Sequence, residues 1–215
     1  MFNESVVFFE NIIQPALFRA IDNKCKQFCK NNGWHGVFAF NDSEQLWFAP
    51  NEWIIETKSK RQKKDDIGCK ASLYLHIKSD IDFYTAQLCN EGSSDGGAEF
   101  RFCLESAYFS NGTNIKKIYE NVRFEADKII NLLISEYQLK LVPNAIAEFY
   151  LPLILNSKDI ASAWDKSNIE DDPSVDLSVE ECFEPISVVL EKFNSAIELL
   201  YKLVEVFENE KNKFA

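Results

Sequence analysis

The chain is 215 residues long, with 46% hydrophobic and 27% charged residues and a formal net charge of −11. This balance excludes a wholly disordered chain, and the surplus of acidic residues makes nucleic-acid binding unlikely. No apolar run is long enough to span a membrane, and acidic residues stand near the N-terminus, where a signal peptide carries cations, so we expect a cytoplasmic protein. The six cysteines are irregularly spaced, and we expect their thiols to be reduced.

The N-terminal part of the chain predicts a helix followed by a hairpin. Apolar residues recur at helical spacing up to the Asn-Asn-Gly sequence that ends at Gly33, which is typical of a helix C-terminus. Because proline is tolerated in the first turn of a helix, Pro15 places the regular start close to its own position. Two short aromatic runs, residues 37–40 and 46–49, flank an Asn-Asp-Ser sequence and predict two paired strands.

A cluster of cations follows this hairpin. Five Lys and Arg residues stand within seven positions, which usually indicates an exposed loop and could also contact an anion. The members of the cluster are Lys58, Lys60, Arg61, Lys63 and Lys64.

The middle of the chain predicts a half-solvated antiparallel sheet. Apolar and polar residues alternate strictly over residues 69–78 and again over residues 98–105, so each segment has one buried face and one wet face. Such sheets come from meanders rather than from βαβ units. We therefore predict an α+β fold with an antiparallel meander of about five strands within residues 36–109.

Helical periodicity returns after the sheet. Residues 115–137 predict a strongly amphipathic helix that can cover the apolar side of the strands. Residues 156–177 are polar and acidic without a period, and we interpret them as a mobile connector before the C-terminal helix. The prediction for residues 1–215 is a single α+β domain with two or three C-terminal helices packed on the sheet or on each other.

The last third of the chain is acidic and ends in an apolar seam. Residues 141–215 contain fifteen Asp and Glu but six Lys, a surface that attracts basic partners and also serves solubility. Pro185 places the start of the last helix near Glu184. The apolar arc of this helix is wider than one packing partner covers, so we predict that part of it is an interface to a protein partner or to a second copy. The candidate interface residues are Ile186, Val189, Phe193, Leu200, Leu203 and Phe207.

Signatures of catalysis are sparse. The sequence contains two histidines and lacks the G-x-S-x-G, Walker-type and H-E-x-x-H motifs. Cys25, Cys29 and His35 could supply three zinc ligands, but the buried face of a helix explains the two cysteines equally well. We therefore expect no catalytic site, no metal and no cofactor.

An alternative remains open in the segment that leads into the cation cluster. Asp42, Glu56 and Lys58 loosely fit the carboxylate, carboxylate and lysine arrangement of Mg²⁺-dependent nucleases, in which two carboxylates hold the ion and the lysine orients the attacking water. The two carboxylates could share one cation only if they lie within about 7 Å of each other.

Two functional hypotheses follow. The first is a non-catalytic binding module that engages a basic protein, as an inhibitor, immunity or antitoxin-like factor does, or that self-associates through the C-terminal helix. The second is a small Mg²⁺-dependent nuclease, or a domain derived from one, that uses Asp42, Glu56 and Lys58.

Overall fold

The structure, a computed structural model, describes residues 9–56, 67–78, 97–109, 114–155, 162 and 183–214. In chain order its helices and strands are α1 (Gln14–Asn32), β1 (Trp34–Ala39), α2 (Phe40–Ser43), β2 (Gln45–Pro50), β3 (Ile54–Glu56), β4 (Ile67–Cys69), β5 (Ala71–Ile77), β6 (Ala98–Leu104), α3 (Ser106–Phe109), α4 (Ile115–Ser135), β7 (Lys140–Leu141), β8 (Phe149–Leu153), α5 (Glu184–Ser195) and α6 (Ile197–Asn212).

The ends of α1 are set by the proline and the glycine that the sequence singles out. The helix starts at Gln14 with Pro15 in its first turn, after a π-helical turn. It ends at Gly33, which has a left-handed φ of 69° and donates its backbone N–H to the Cys29 carbonyl. The predicted N-terminal helix is therefore confirmed at both ends.

The main sheet has six antiparallel strands in the order β1-β2-β5-β6-β8-β7, and β3 and β4 form a separate two-stranded sheet. Its inner face is built from buried apolar side chains, among them Phe48, Leu73 and Phe102, which have no exposed surface. Alternation along the strands places Trp47 and Tyr74 on the opposite face, where the register pairs them directly. The predicted antiparallel α+β fold is confirmed, and the alternation correctly located β5 and β6.

The sheet extends beyond the range predicted from the sequence. Its last two strands, β7 and β8, come after α4 rather than from residues 36–109. Pro152 lies within β8 opposite Glu99, and β7 pairs only with Phe149 and Tyr150. Pro152 is therefore at a sheet edge, where the missing N–H is tolerated. The proline hid this strand because it normally argues against a central strand.

The helices cover the inner face of the sheet and each other. α4 packs against α6, whereas α1 packs against α5, which also contacts β8. The predicted last helix is divided into α5 and α6 at Ala196. Just before this turn, the Ser195 hydroxyl donates to the Glu191 carbonyl at 2.7 Å, a bond that bends helices. Within the described parts of the chain, no helix has the length and apolar character needed to cross a membrane.

Candidate functional site

The apolar seam predicted as an interface lies inside the folded chain. Its last residue, Phe207 in α6, packs against the rings of Phe109 and Tyr119 at centroid distances of 6.1 and 6.3 Å. An interface through the seam would require α5 and α6 to separate from the rest of the core. The predicted interface residues and their exposed fractions are Ile186 0%, Val189 8%, Phe193 0%, Leu200 0%, Leu203 0% and Phe207 0%.

The residues of the nuclease alternative fall partly outside the described residues. Asp42 is exposed on the short helix α2, where its Oδ1 accepts a hydrogen bond from the Asn41 side chain at 3.0 Å. Glu56 ends β3, but its side chain lies outside the described residues, as does Lys58 with the rest of the cation cluster. The metal site formed by these three residues therefore stays a prediction. In the parts of the chain that are described, no three His, Cys, Asp or Glu side chains are grouped so that they could hold a metal ion.

The acidic connector predicted at residues 156–177 also lies outside the described residues, apart from Ser162. The two cysteines of the zinc alternative lie on the buried face of α1, with Cys25 fully buried and Cys29 2% exposed. Burial raises the pKa of Cys29 to about 12. Both thiols are thus explained by packing.

A groove of about 490 Å³ lies between the C-terminal end of α4 and one side of α5. Val188, which lines this groove, is 48% exposed and offers an apolar surface to solvent. Glu184 and Glu191 precede and follow Val188 by about one helical turn, so they share its side of α5. Glu136 faces them from the end of α4. We call this surface, with Gln138 and Lys192 as further lining residues, the α4–α5 groove.

The end of α4 adds negative charge to this groove. The last turn of α4 contains no basic residue, and Glu136 follows it directly. Because the carbonyl end of a helix carries partial negative charge, a carboxylate at that end destabilises the helix unless a cation lies nearby. The described residues that line the groove include three glutamates and one lysine, Lys192. The α4–α5 groove is therefore an apolar spot within a negatively charged surface.

A second cavity, which we call the outer cleft, has a volume of about 740 Å³. It lies on the outer face of the sheet, since Trp47 of β2 and Tyr74 of β5 line it together with Ile55 and Cys69 of the small β3–β4 sheet. Glu105, which follows β6, also lines the cleft. The cleft thus combines aromatic and aliphatic walls with a carboxylate.

The Glu105 carboxylate is oriented by two neutral donors. Its Oε1 accepts a hydrogen bond from the Ser72 hydroxyl at 2.6 Å and from the Cys103 thiol at 3.6 Å. Burial, followed by the negative charge of Glu105, raises the pKa of Cys69 to about 12 and that of Cys103 further. The thiols around the cleft are therefore protonated at neutral pH and are poor nucleophiles.

Two residues that line the cleft, Tyr108 and Lys211, form a network with Lys70 and Glu208. The Lys211 ammonium lies 3.3 Å from the centroid of the Tyr108 ring. The Tyr108 hydroxyl donates to Glu208, which also accepts a hydrogen bond from Lys70 at 2.9 Å. Burial lowers the pKa of Lys211, and the charges that act on it are those of Glu208 and Lys70. Within this network, one carboxylate, Glu208, is paired with Lys70 and also attracts the Lys211 ammonium.

Deeper on the outer face, Arg101 joins two carboxylates. Its guanidinium contacts Glu99, which is 2% exposed, and lies 3.1 Å from Glu148. The Tyr74 hydroxyl donates to the same Glu148 at 2.9 Å. Burial and this acceptor raise the pKa of Tyr74, so the phenol stays protonated. Through the bond to Glu148, this network holds the hydroxyl of Tyr74, which lines the outer cleft.

Comparison with protein-family models, with curated proteins and with solved structures finds no match for this chain.

Neither surface was predicted from the sequence. The outer cleft could have been anticipated from β6, because the alternation of apolar and polar residues places Cys103 and Glu105 on the solvent-facing side of the sheet. No comparable local pattern marks the α4–α5 groove, since Glu136 and Val188 belong to different helices.

Proposed function

We propose that this chain is a non-catalytic binding module that engages a basic protein partner through the α4–α5 groove, and that it acts in the cytoplasm. The observation that carries the proposal is the exposed Val188 surrounded by Glu136, Glu184 and Glu191. The free thiols of the described cysteines are compatible with a reducing compartment.

The arrangement of the groove favours a basic partner over a second copy of the chain. Each copy carries a net charge of −11, so two groove surfaces would repel each other. A cationic segment with an apolar residue between its charges could bury Val188 and place its Lys or Arg side chains on the surrounding carboxylates. Each exposed ion pair would contribute about 0–1 kcal/mol, so the affinity depends on several such pairs and on the apolar contact.

The experiment measures binding of a fluorescently labelled Lys-rich peptide with a central leucine by anisotropy at physiological salt. In the test variant, Glu184→Lys and Glu191→Lys reverse two charges of the groove. The matched control, Glu198→Lys with Glu205→Lys, has the same charge change and the same spacing on exposed positions of α6. Since both variants alter the net charge equally, any difference between them reports on the location of the binding site.

We expect the groove variant to bind about tenfold more weakly than the control, with affinity that falls as salt increases. Val188→Ser, which removes the apolar contact without changing the charge of the groove, should weaken binding as well. Equal losses in the groove and control variants would show that net charge alone attracts the peptide, and would contradict the proposal. Light scattering on the wild type should show a monomer.

A further inference from the structure

Apart from the α4–α5 groove, we propose that the outer cleft is a binding site for a small organic cation, namely an amine or guanidinium attached to an aromatic or aliphatic body. This site is built from other elements than the groove and does not depend on the proposed function. The features that carry it are the Glu105 carboxylate and the aromatic walls formed by Trp47 and Tyr74.

The charge of Glu105 selects for a cation. Both of its described donors, Ser72 and Cys103, are neutral and both bind Oε1, which leaves Oε2 without a donor among the described residues. Lys211 lines the same cleft, but its ammonium lies 3.3 Å from the centroid of the Tyr108 ring, and among the described residues no ion pair joins it to Glu105. An ammonium or guanidinium donor at Oε2 would complete the coordination of this carboxylate with a charge-assisted hydrogen bond.

The walls of the cleft select for an apolar body on that cation. Trp47 and Tyr74 contribute aromatic rings to the lining and Ile55 a branched aliphatic chain. Aromatic faces attract cations as well as apolar groups. The volume of about 740 Å³ lies within the range of small-molecule sites. The position of Lys211 over Tyr108 shows that an ammonium is accommodated on an aromatic face at this end of the sheet.

The experiment compares three probes that share a phenyl body but differ in charge: 2-phenylethylamine, 2-phenylethanol and 3-phenylpropionate. Binding is followed by two-dimensional NMR through the indole N–H signal of Trp47, which is assigned by its loss in Trp47→Phe. The test variant is Glu105→Gln, which retains an oxygen for the Ser72 hydroxyl but removes the charge. The matched control is Glu205→Gln on an exposed part of α6.

We expect 2-phenylethylamine to bind about tenfold or more tightly than the other two probes, and to lose that preference in Glu105→Gln but not in Glu205→Gln. A second variant, Ala107→Phe, fills the cleft from its exposed rim and should abolish binding without altering Glu105. The proposal is overturned if the amine and the alcohol bind equally, if the carboxylate probe binds more tightly, if Glu105→Gln keeps the wild-type preference, or if no probe shifts the Trp47 signal.

Discussion

Replacement of Phe207 by alanine tests whether the C-terminal seam is a core element. The side chain has no exposed surface and packs between Phe109 and Tyr119. An aromatic side chain buries about 150–250 Å², and at about 25 cal/mol per Å² its transfer from water contributes roughly 4–6 kcal/mol. Since alanine retains part of this contribution, we expect Phe207→Ala to lower the free energy of unfolding by about 3–5 kcal/mol.

The assay is urea unfolding followed by circular dichroism. With an m-value of about 2–3 kcal/mol per molar urea, the midpoint should fall by about 1–2.5 M. The matched control is Phe124→Ala, which makes the same substitution on α4 at a side chain that is 78% exposed, and it should change stability by about 0.5 kcal/mol or less. If Phe207→Ala costs less than about 1 kcal/mol, or if it dissociates an oligomer without loss of monomer stability, the seam is not the core element described above.

Three further substitutions probe other contacts, each through the free energy of unfolding. Asp22→Ala should cost about 1–3 kcal/mol, because the buried carboxylate accepts hydrogen bonds from two backbone N–H groups at the start of α2; a neutral outcome would contradict this. Gly36→Ala should cost about 1–3 kcal/mol, because a Cβ would lie 2.6 Å from the Cβ of Phe48 in β2; unchanged stability would show that the two strands can separate. Lys70→Ala should cost about 1 kcal/mol or less at pH 7, after allowance for solvent screening, and still less below about pH 4. Burial alone would raise the pKa of Glu208, but its hydrogen bonds from Lys70 and a tyrosine outweigh burial and lower that pKa below 4.5. This stabilisation is therefore present above the ordinary carboxyl pKa and is lost on acidification, and a cost that grew towards low pH would refute the assignment.

The elements that the sequence predicted well are those with a complete local signal. The alternation of apolar and polar residues predicts where β5 and β6 lie and which face of each strand is buried. α1 has a proline at its start and a glycine at its end. β8 was missed because it contains Pro152. The proline is tolerated because β7 is short and does not pair with β8 at that position. That pairing is a property of the folded sheet and leaves no local mark in the sequence.

The candidate sites were harder to predict because their parts come from distant segments. An apolar seam has the same spacing whether the chain's own elements or a partner cover it, and here α4 covers Phe207 through Tyr119. The α4–α5 groove joins the end of one helix to the side of another. Both assignments depend on tertiary contacts, which periodicity alone does not specify.

The central claim is that a basic partner docks in the α4–α5 groove, and NMR chemical-shift mapping tests it most directly. Titration of the isotope-labelled full chain with an unlabelled Lys-rich peptide at physiological salt should shift the backbone amide signals of Glu136, Val188 and Glu191 most strongly. The exposed glutamates Glu198 and Glu205 of α6 serve as the internal comparison. If the peptide docks in the groove, the shifts are confined to the groove. Shifts of equal size at Glu198 and Glu205, or no shifts at all, would contradict it.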